Sequence, residues 1–501
     1  MSSGNSIWNA LRHRHFRNVW LAAFVSSMGG WMEVVGVQWA MAQATLDQSW
    51  VSQNKPGAPI MMAYLAVAQL APQLVFGLIG GVVADMVDRK RLLLVTQFAR
   101  MLIAIGLFIV AFRGNISPYM LILLGALDGV AMAFNIPAWQ VLTPRLVPRE
   151  DLTAAITLNG LQFNLARALG PALGGILLGF SVIALVDHVA HWVPGSANFL
   201  NWLHTYSSYD IKGTALLFLL NAISYLAVLI AVARTPASPA VPTEQRGHPW
   251  QLIKEAAHFA WHNRGTRNLI LGITIFSALA TPLIRFLPIL VKQIYMPQAS
   301  DVDRERGYGA LLGVMGMGAV MGALTIRFVP FWYPKHHFVP LSITLCGLFL
   351  CFFSAVTSLY FAGIAIFLVG IVWMWAFNSA FAALQLLIPD RIRGRVLAIG
   401  NTVSFGCMPL GALLGGAIGE YVAGKSSSNP SAEGLGAQIG LGVLSLMLAI
   451  VGFVMLTWRT PEIDGITRED PGFENKPGLV RGITAKAHRP KATASSDDAA
   501  I

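Results

Sequence analysis

Five charged side chains interrupt stretches that are otherwise apolar over membrane lengths: Glu33, Arg100, Asp128, Arg167 and Arg285. An ionised group in hydrocarbon is costly, so each marks a proton path, a substrate contact or a paired structural charge. Helical rise sets their depths. Glu33 lies about 24 Å along its run from Arg17, in the far half of a bilayer core of about 30 Å. Arg100 lies about 14 Å beyond Arg91, and Asp128 about 15 Å from Pro118 on the next run, which crosses in the opposite direction. These two meet at one depth on consecutive helices, and an Arg100–Asp128 ion pair is expected. The pair either satisfies two buried charges structurally or takes part in proton transfer. If it is structural, Glu33 is the better proton carrier, because an isolated carboxyl in an apolar cavity can exchange its proton. Arg167 and Arg285 would attract anionic groups such as a catecholate or carboxylate if unpaired, and are packing features if paired.

Around these charges the interior should expose Trp31, Gln38, Trp39, Asn135, Phe163, Asn164, Trp373, Trp375, Asn378 and Asn401. Aromatics with sparse amides suit a broad amphipathic ligand better than a sugar. Any single tryptophan in such a chain is more often core or interfacial anchor.

The elements that must position these residues are membrane helices. Of 501 residues 55% are hydrophobic and 12% charged, about half the charge of a soluble protein. Long continuous apolar runs exclude a barrel, whose strands would alternate over about ten residues. Twelve spans are expected, at 18–46, 59–84, 92–112, 117–140, 155–184, 213–233, 267–293, 308–330, 338–357, 359–384, 396–423 and 437–458. The net charge of +11 would suggest nucleic acid in a soluble protein; here cations in cytoplasmic loops explain it. Arg89 to Arg91, Arg145, Arg149, the cations between Arg246 and Arg267, Lys335, Arg391, Arg393 and Arg395 all fall on one side. The other side holds Asp47, Lys55, Asp187, Asp210, the mixed Asp301–Arg306 segment, Lys425 and Glu433. The positive-inside rule then places both termini in the cytoplasm.

The organisation read from this pattern is a cytoplasmic N-terminus (1–17), a six-helix bundle (18–234), a cytoplasmic linker (235–266), a second six-helix bundle (267–459) and a disordered cytoplasmic tail (460–501). The linker opens on TPASPAVP and continues as an amphipathic helix expected to lie on the inner membrane surface, with Leu252, Ile253, Ala256, Phe259 and Ala260 on one face. An internal repeat supports the division. AFN at 133–135, LVPRE at 146–150 and GPALGG at 170–175 return as AFN at 376–378, LIPDR at 387–391 and PLGALLGG at 409–416. The loop 185–212 carries His188, His191 and His204. HxxH with a distant third histidine is a weak metal signal, and a lid over the bundle mouth is the better reading. Cys346, Cys351 and Cys407 fall inside spans and offer neither metal spacing nor a disulfide framework. With no nucleotide loop, nucleophile constellation or metal cluster, neither a cofactor nor an enzyme activity is expected.

Between the second and third runs stands GGVVADMVDRKR, residues 80–91. This hairpin resembles the signature loop of the major facilitator superfamily, matched at Gly81, Asp85, Arg89 and Lys90. Met86 stands where that family usually has arginine, and Asp88 where it usually has glycine. The Asp88 variant, with LVPREDLTAA at 146–155 and FNLARALGPALGG at 163–175, is similar to the drug-and-siderophore exporter branch. Gly170, Pro171, Gly174 and Gly175 resemble the motif of antiporters in this superfamily. The resemblance implies an all-α membrane protein of twelve transmembrane helices in two six-helix bundles. The antiporter arginine usual in span four is missing, and Asp128 followed by Gly129 occupies that region.

The reading reached is a monomeric carrier of the bacterial inner membrane that exports a small drug-like molecule or siderophore by proton antiport and alternating access. Its partners are the substrate, protons and the lipid bilayer, with no nucleic acid. The competing readings are a lipid-like or nutrient carrier of the same fold, and a non-transporting membrane receptor or assembly subunit.

Overall fold

The computed structural model describes residues 7–53, 55–114, 116–179, 213–236, 249–328, 335–425 and 431–458. The expectations for the 185–212 loop, the proline-rich linker from Ala237 and the 460–501 tail lie outside the described residues. The remainder is helical, because in hydrocarbon each backbone N–H must find its acceptor within its own segment. In chain order the helices are α1 (Arg14–Thr45), α2 (Ala58–Met86), α3 (Arg89–Phe112), α4 (Pro118–Leu142), α5 (Leu152–Leu178) and α6 (Thr214–Ala233). There follow α7 (Pro249–His262), α8 (Arg264–Ala280), α9 (Pro282–Leu290), α10 (Asp301–Thr325), α11 (Lys335–Ala355), α12 (Leu359–Leu387), α13 (Asp390–Lys425) and α14 (Ala432–Met455). Helices α8 and α9 form one crossing broken at Thr281–Pro282, so twelve crossings result. Among the described residues eleven are long and apolar enough to span by composition alone. The twelfth, α5, is diluted by Asn159, Gln162, Asn164 and Arg167, yet runs for 27 residues between α1 and α10.

The pairings repeat between halves. Helix α2 lies along α4 and α3 along α6, as α10 lies along α12 and α11 along α14. Helix α1 lies against α5 as α8 lies against α13, and the halves meet along α2–α13 and α5–α10. The sequence repeat is therefore a repeat of helix neighbours.

Two boundaries differ from expectation for local reasons. Helix α3 begins at Arg89, so the signature cations form its first turn, where like-signed helix ends are unfavourable. Asp88 offsets this as the N-cap, accepting from Arg91 N at 3.2 Å. Asp88→Ala should lower stability by about 1 kcal/mol, read as an earlier thermal unfolding in detergent. The Asp301–Arg306 segment, expected in a loop, is the start of α10. Ser300 caps it, accepting from Asp303 N at 3.2 Å and donating to Asp303 Oδ2 at 2.7 Å. The amphipathic helix α7 packs against α8 and α13, with Ala256 and Ala260 buried.

Candidate functional site

The buried polar residues of the first half converge where α1, α3, α4 and α6 meet. Arg100 on α3 donates from Nε to Asp128 Oδ1 at 2.7 Å and from Nη2 to Oδ2 at 3.3 Å. This forked contact matches a planar guanidinium to a planar carboxylate. The guanidinium lies 5.1 Å from the centre of the Tyr225 ring on α6. The short α3–α4 turn brings the two charges to one depth, as the sequence spacing predicts.

Glu33 is not the isolated carboxyl expected. Asn221 on α6, itself fully buried, donates from Nδ2 to Glu33 Oε2 at 2.5 Å. Ser224 donates in turn to Asn221 Oδ1 at 3.2 Å. Gly29, one turn before Glu33, makes room: a methyl group there would fall 2.6 Å from both Asn221 Oδ1 and Ser224 Oγ. Glu33 is also near enough to interact electrostatically with both Asp128 and Arg100. Two carboxylates and one guanidinium thus share one apolar interior. With all three ionised the cluster carries one net negative charge; with one carboxyl protonated it is neutral.

Asn221, Ser224 and Tyr225 were not singled out in the sequence. Their spacing of three and four residues in an otherwise apolar helix is a polar stripe that would have found them.

The expected cavity residues separate into groups. Arg285 on α9 donates to Gln69 Oε1 on α2 at 2.7 Å, and Arg167 on α5 lies 5.4 Å from the Phe377 ring centre on α12. Both reach from one bundle to the other. Trp31 meets Phe163 edge-on at 6.5 Å, and Phe163 remains 48% exposed. Several of the other aromatics and amides tie helices together. Trp375 donates to Gly322 O at 3.0 Å, tying α12 to α10, and Asn135 donates to Thr96 Oγ1 at 2.9 Å, tying α4 to α3. Trp373 stacks among Phe276 and Phe377. Gln38 and Trp39 are buried in a seam, with Trp39 stacked 5.4 Å from Tyr308 and Lys292 over its ring at 4.6 Å. Asn378 and Asn401 are partly buried. The side chain of Asn164 lies outside the described residues.

That seam joins the bundles at the end bearing Thr45 and Ala58. Of the antiporter-like motif, Gly170 sits against Trp31 and Gly174 against Met32 and Val35, both seating α5 on α1 around Pro171. Gly175 meets the backbone of Gly309 on α10, so closely that a methyl on either would overlap the other. Its repeat counterpart Gly416 does the same across α13 and α2: a methyl there would lie 2.8 Å from Pro59 O and Ala63 Cβ. At the opposite end, Gly77 and Gly81 of α2 and Gly160 of α5 have nothing within 4 Å of a would-be methyl. Gly309→Ala is expected to disfavour the closed seam by about 1–3 kcal/mol, roughly a tenfold shift toward separation, read as longer distances between labels on α5 and α10.

Of the signature hairpin, Lys90 makes its contacts within its own bundle. Lys90 donates from Nζ to Ala233 O at 2.8 Å and to Thr235 O at 2.6 Å, covering the carbonyl end of α6. Gly80, not the matched Gly81, makes the close approach to α4, at Ala133. Arg89 is buried at the start of α3, and the side chain of Asp85 lies outside the described residues.

Twelve crossings in two related bundles that meet along α2–α13 and α5–α10, with a buried carboxylate cluster inside the first, define a transporter of the major facilitator superfamily. Such a protein is a carrier of small molecules and not an enzyme. The chain belongs to the transmembrane secretion effector family, whose model matches residues 5–191 and 209–470. It is similar to the enterobactin exporter EntS of Salmonella typhi, 26% identical over 461 residues that cover 90% of this chain and 95% of that one. It is similar also to the staphyloferrin A transporter of Staphylococcus aureus, 23% identical over 398 residues, covering 78% and 86%. Among solved structures it shares its fold with a bacterial homologue of the human lysosomal transporter Spinster in an inward-facing, unoccupied form. That match has a TM-score of 0.65 and 15% identity, covering 88% of this chain and 96% of that one.

Proposed function

We propose that this carrier exports a small anionic, aromatic-rich molecule of the siderophore class from the cytoplasm, exchanging it for protons by alternating access. The observation that carries the reading is the Glu33–Asn221 contact beside the Arg100–Asp128 pair. It provides a site whose net charge falls to zero on binding one proton, enclosed within one bundle. The two named relatives are siderophore transporters by their names, which supports the substrate class. Arg167 and Arg285 cross between the bundles at the place where cargo would bind, and Phe377 and Gln69 are the partners an anionic ring would displace.

The protein is proposed to work as a monomer in the bacterial inner membrane with both termini in the cytoplasm. In that orientation the touching end is the outer one, and the cavity opens inward. Export against a tenfold gradient of a neutral solute needs about 1.4 kcal/mol, and one proton moving through 100 mV supplies about 2.3. One-for-one exchange therefore suffices for modest gradients. The test is substrate-dependent proton flux in proteoliposomes with a panel of catecholate and carboxylate siderophores. Proton movement that no member of the panel alters would sink the reading and favour a non-transporting receptor.

A further inference from the structure

The outer seam is fastened by a contact that the proton site above does not use. Glu420, near the end of α13, accepts from Gly57 N with both oxygens at 3.0 Å. Glu433, in the first turn of α14, accepts from the next amide, Ala58 N, at 3.1 Å. Two carboxylates of the second bundle thus cap the start of α2 in the first. They face each other across Gly57: a methyl there would lie 2.5 Å from Glu420 Oε2 and 2.5 Å from Glu433 Oε1. Those two oxygens are therefore within about 5 Å, where like charges in a partly buried site repel strongly. A helix start offers roughly half a unit of positive charge against them, too little for two anions.

The cations around the pair are engaged elsewhere. Lys425 on α13 rests over Tyr421 at 4.5 Å, Lys55 before α2 over Trp50 at 4.5 Å, and Lys292 after α9 over Trp39 at 4.6 Å. On α10, Arg304 donates to Asp301 and Arg306 pairs with Asp303. Beside Glu433, Gly434 N donates to Gln293 Oε1 at 2.6 Å, which holds the start of α14 against the α8–α9 crossing. Among the described residues no lysine or arginine forms an ion pair with Glu420 or Glu433.

We infer that the outer seam closes around a singly protonated Glu420–Glu433 pair, so that a proton taken from outside is the condition for the carrier's return to its inward-open form. In the parted state the two carboxylates separate into water and both ionise. Closing brings them together on α2, and one proton held between them removes the repulsion while the remaining charge keeps the helix-start contact. The device makes the empty return step acid-dependent at the outer face, independently of Glu33. It rests on the rocking motion proposed above.

The test places spin labels at Ser52→Cys and Gly424→Cys, one exposed and one where an added side chain meets nothing, with Cys351 and Cys407 replaced by serine. In lipid, the closed fraction of the otherwise unmodified protein should rise at least about fivefold as pH falls from about 8 to about 5.5. Glu433→Gln should be closed across that range, since an amide keeps the shape without the charge. In a Glu33→Gln background the pH response that remains should vanish on adding Glu420→Gln with Glu433→Gln. A closed fraction that rises with pH, or a response that survives Glu420→Gln with Glu433→Gln, overturns the proposal. Labels that separate in Gly309→Ala yet ignore pH overturn this device alone; labels fixed in every variant overturn the rocking motion with it.

Discussion

Glu33→Gln is expected to reduce export driven by a pH gradient in proteoliposomes by roughly a hundredfold, to the leak of protein-free vesicles. The amide retains an oxygen to accept from Asn221, so the α1–α6 contact and the fold should persist. What disappears is the ability to carry a proton beside Arg100 and Asp128. Exchange of labelled for unlabelled substrate, which needs no net proton movement, should survive. Unchanged transport under a pH gradient would remove the role assigned to Glu33.

Asp128→Asn has the second large effect. It leaves Arg100 as a buried cation, and removing one partner of a buried pair costs about 3–5 kcal/mol. Glu33 is near enough to offset part of this, so the loss should fall toward the lower value, seen as reduced folded yield and earlier unfolding in detergent. Arg100→Asp combined with Asp128→Arg should recover part of what either neutralisation loses, because the two side chains meet directly. Absence of recovery would mean that each charge is held by a separate set of neighbours.

Much of this arrangement was legible because a membrane leaves few options. Apolar length located the crossings, and a fixed rise per residue with a short turn put Arg100 and Asp128 at one depth. Rotation about each helix axis was not legible. Helical rise set the position of Glu33 along α1 but did not reveal that it faces Asn221, since those helices are distant in sequence and meet only after the bundle closes. The same limit applies to Trp39, whose type suggested a cavity wall and whose direction puts it in the seam against Tyr308. Glycines were legible as sites of close approach, but not which helix each would meet. Gly170 and Gly175, five positions apart, face α1 and α10 respectively. Glu420 was overlooked because an acid near a helix end reads as ordinary surface charge until its partner amides are in view.

The contact of Gly175 with Gly309 has a consequence for turnover. Where main chain lies directly on main chain, parting that one contact frees no frozen rotamers. What is lost is a small area of dispersion contact, and what is gained by water or lipid is equally small. A contact of this kind adds little to the free energy between the two positions of the proposed rocking motion, which would leave the Glu420–Glu433 pair to set the balance.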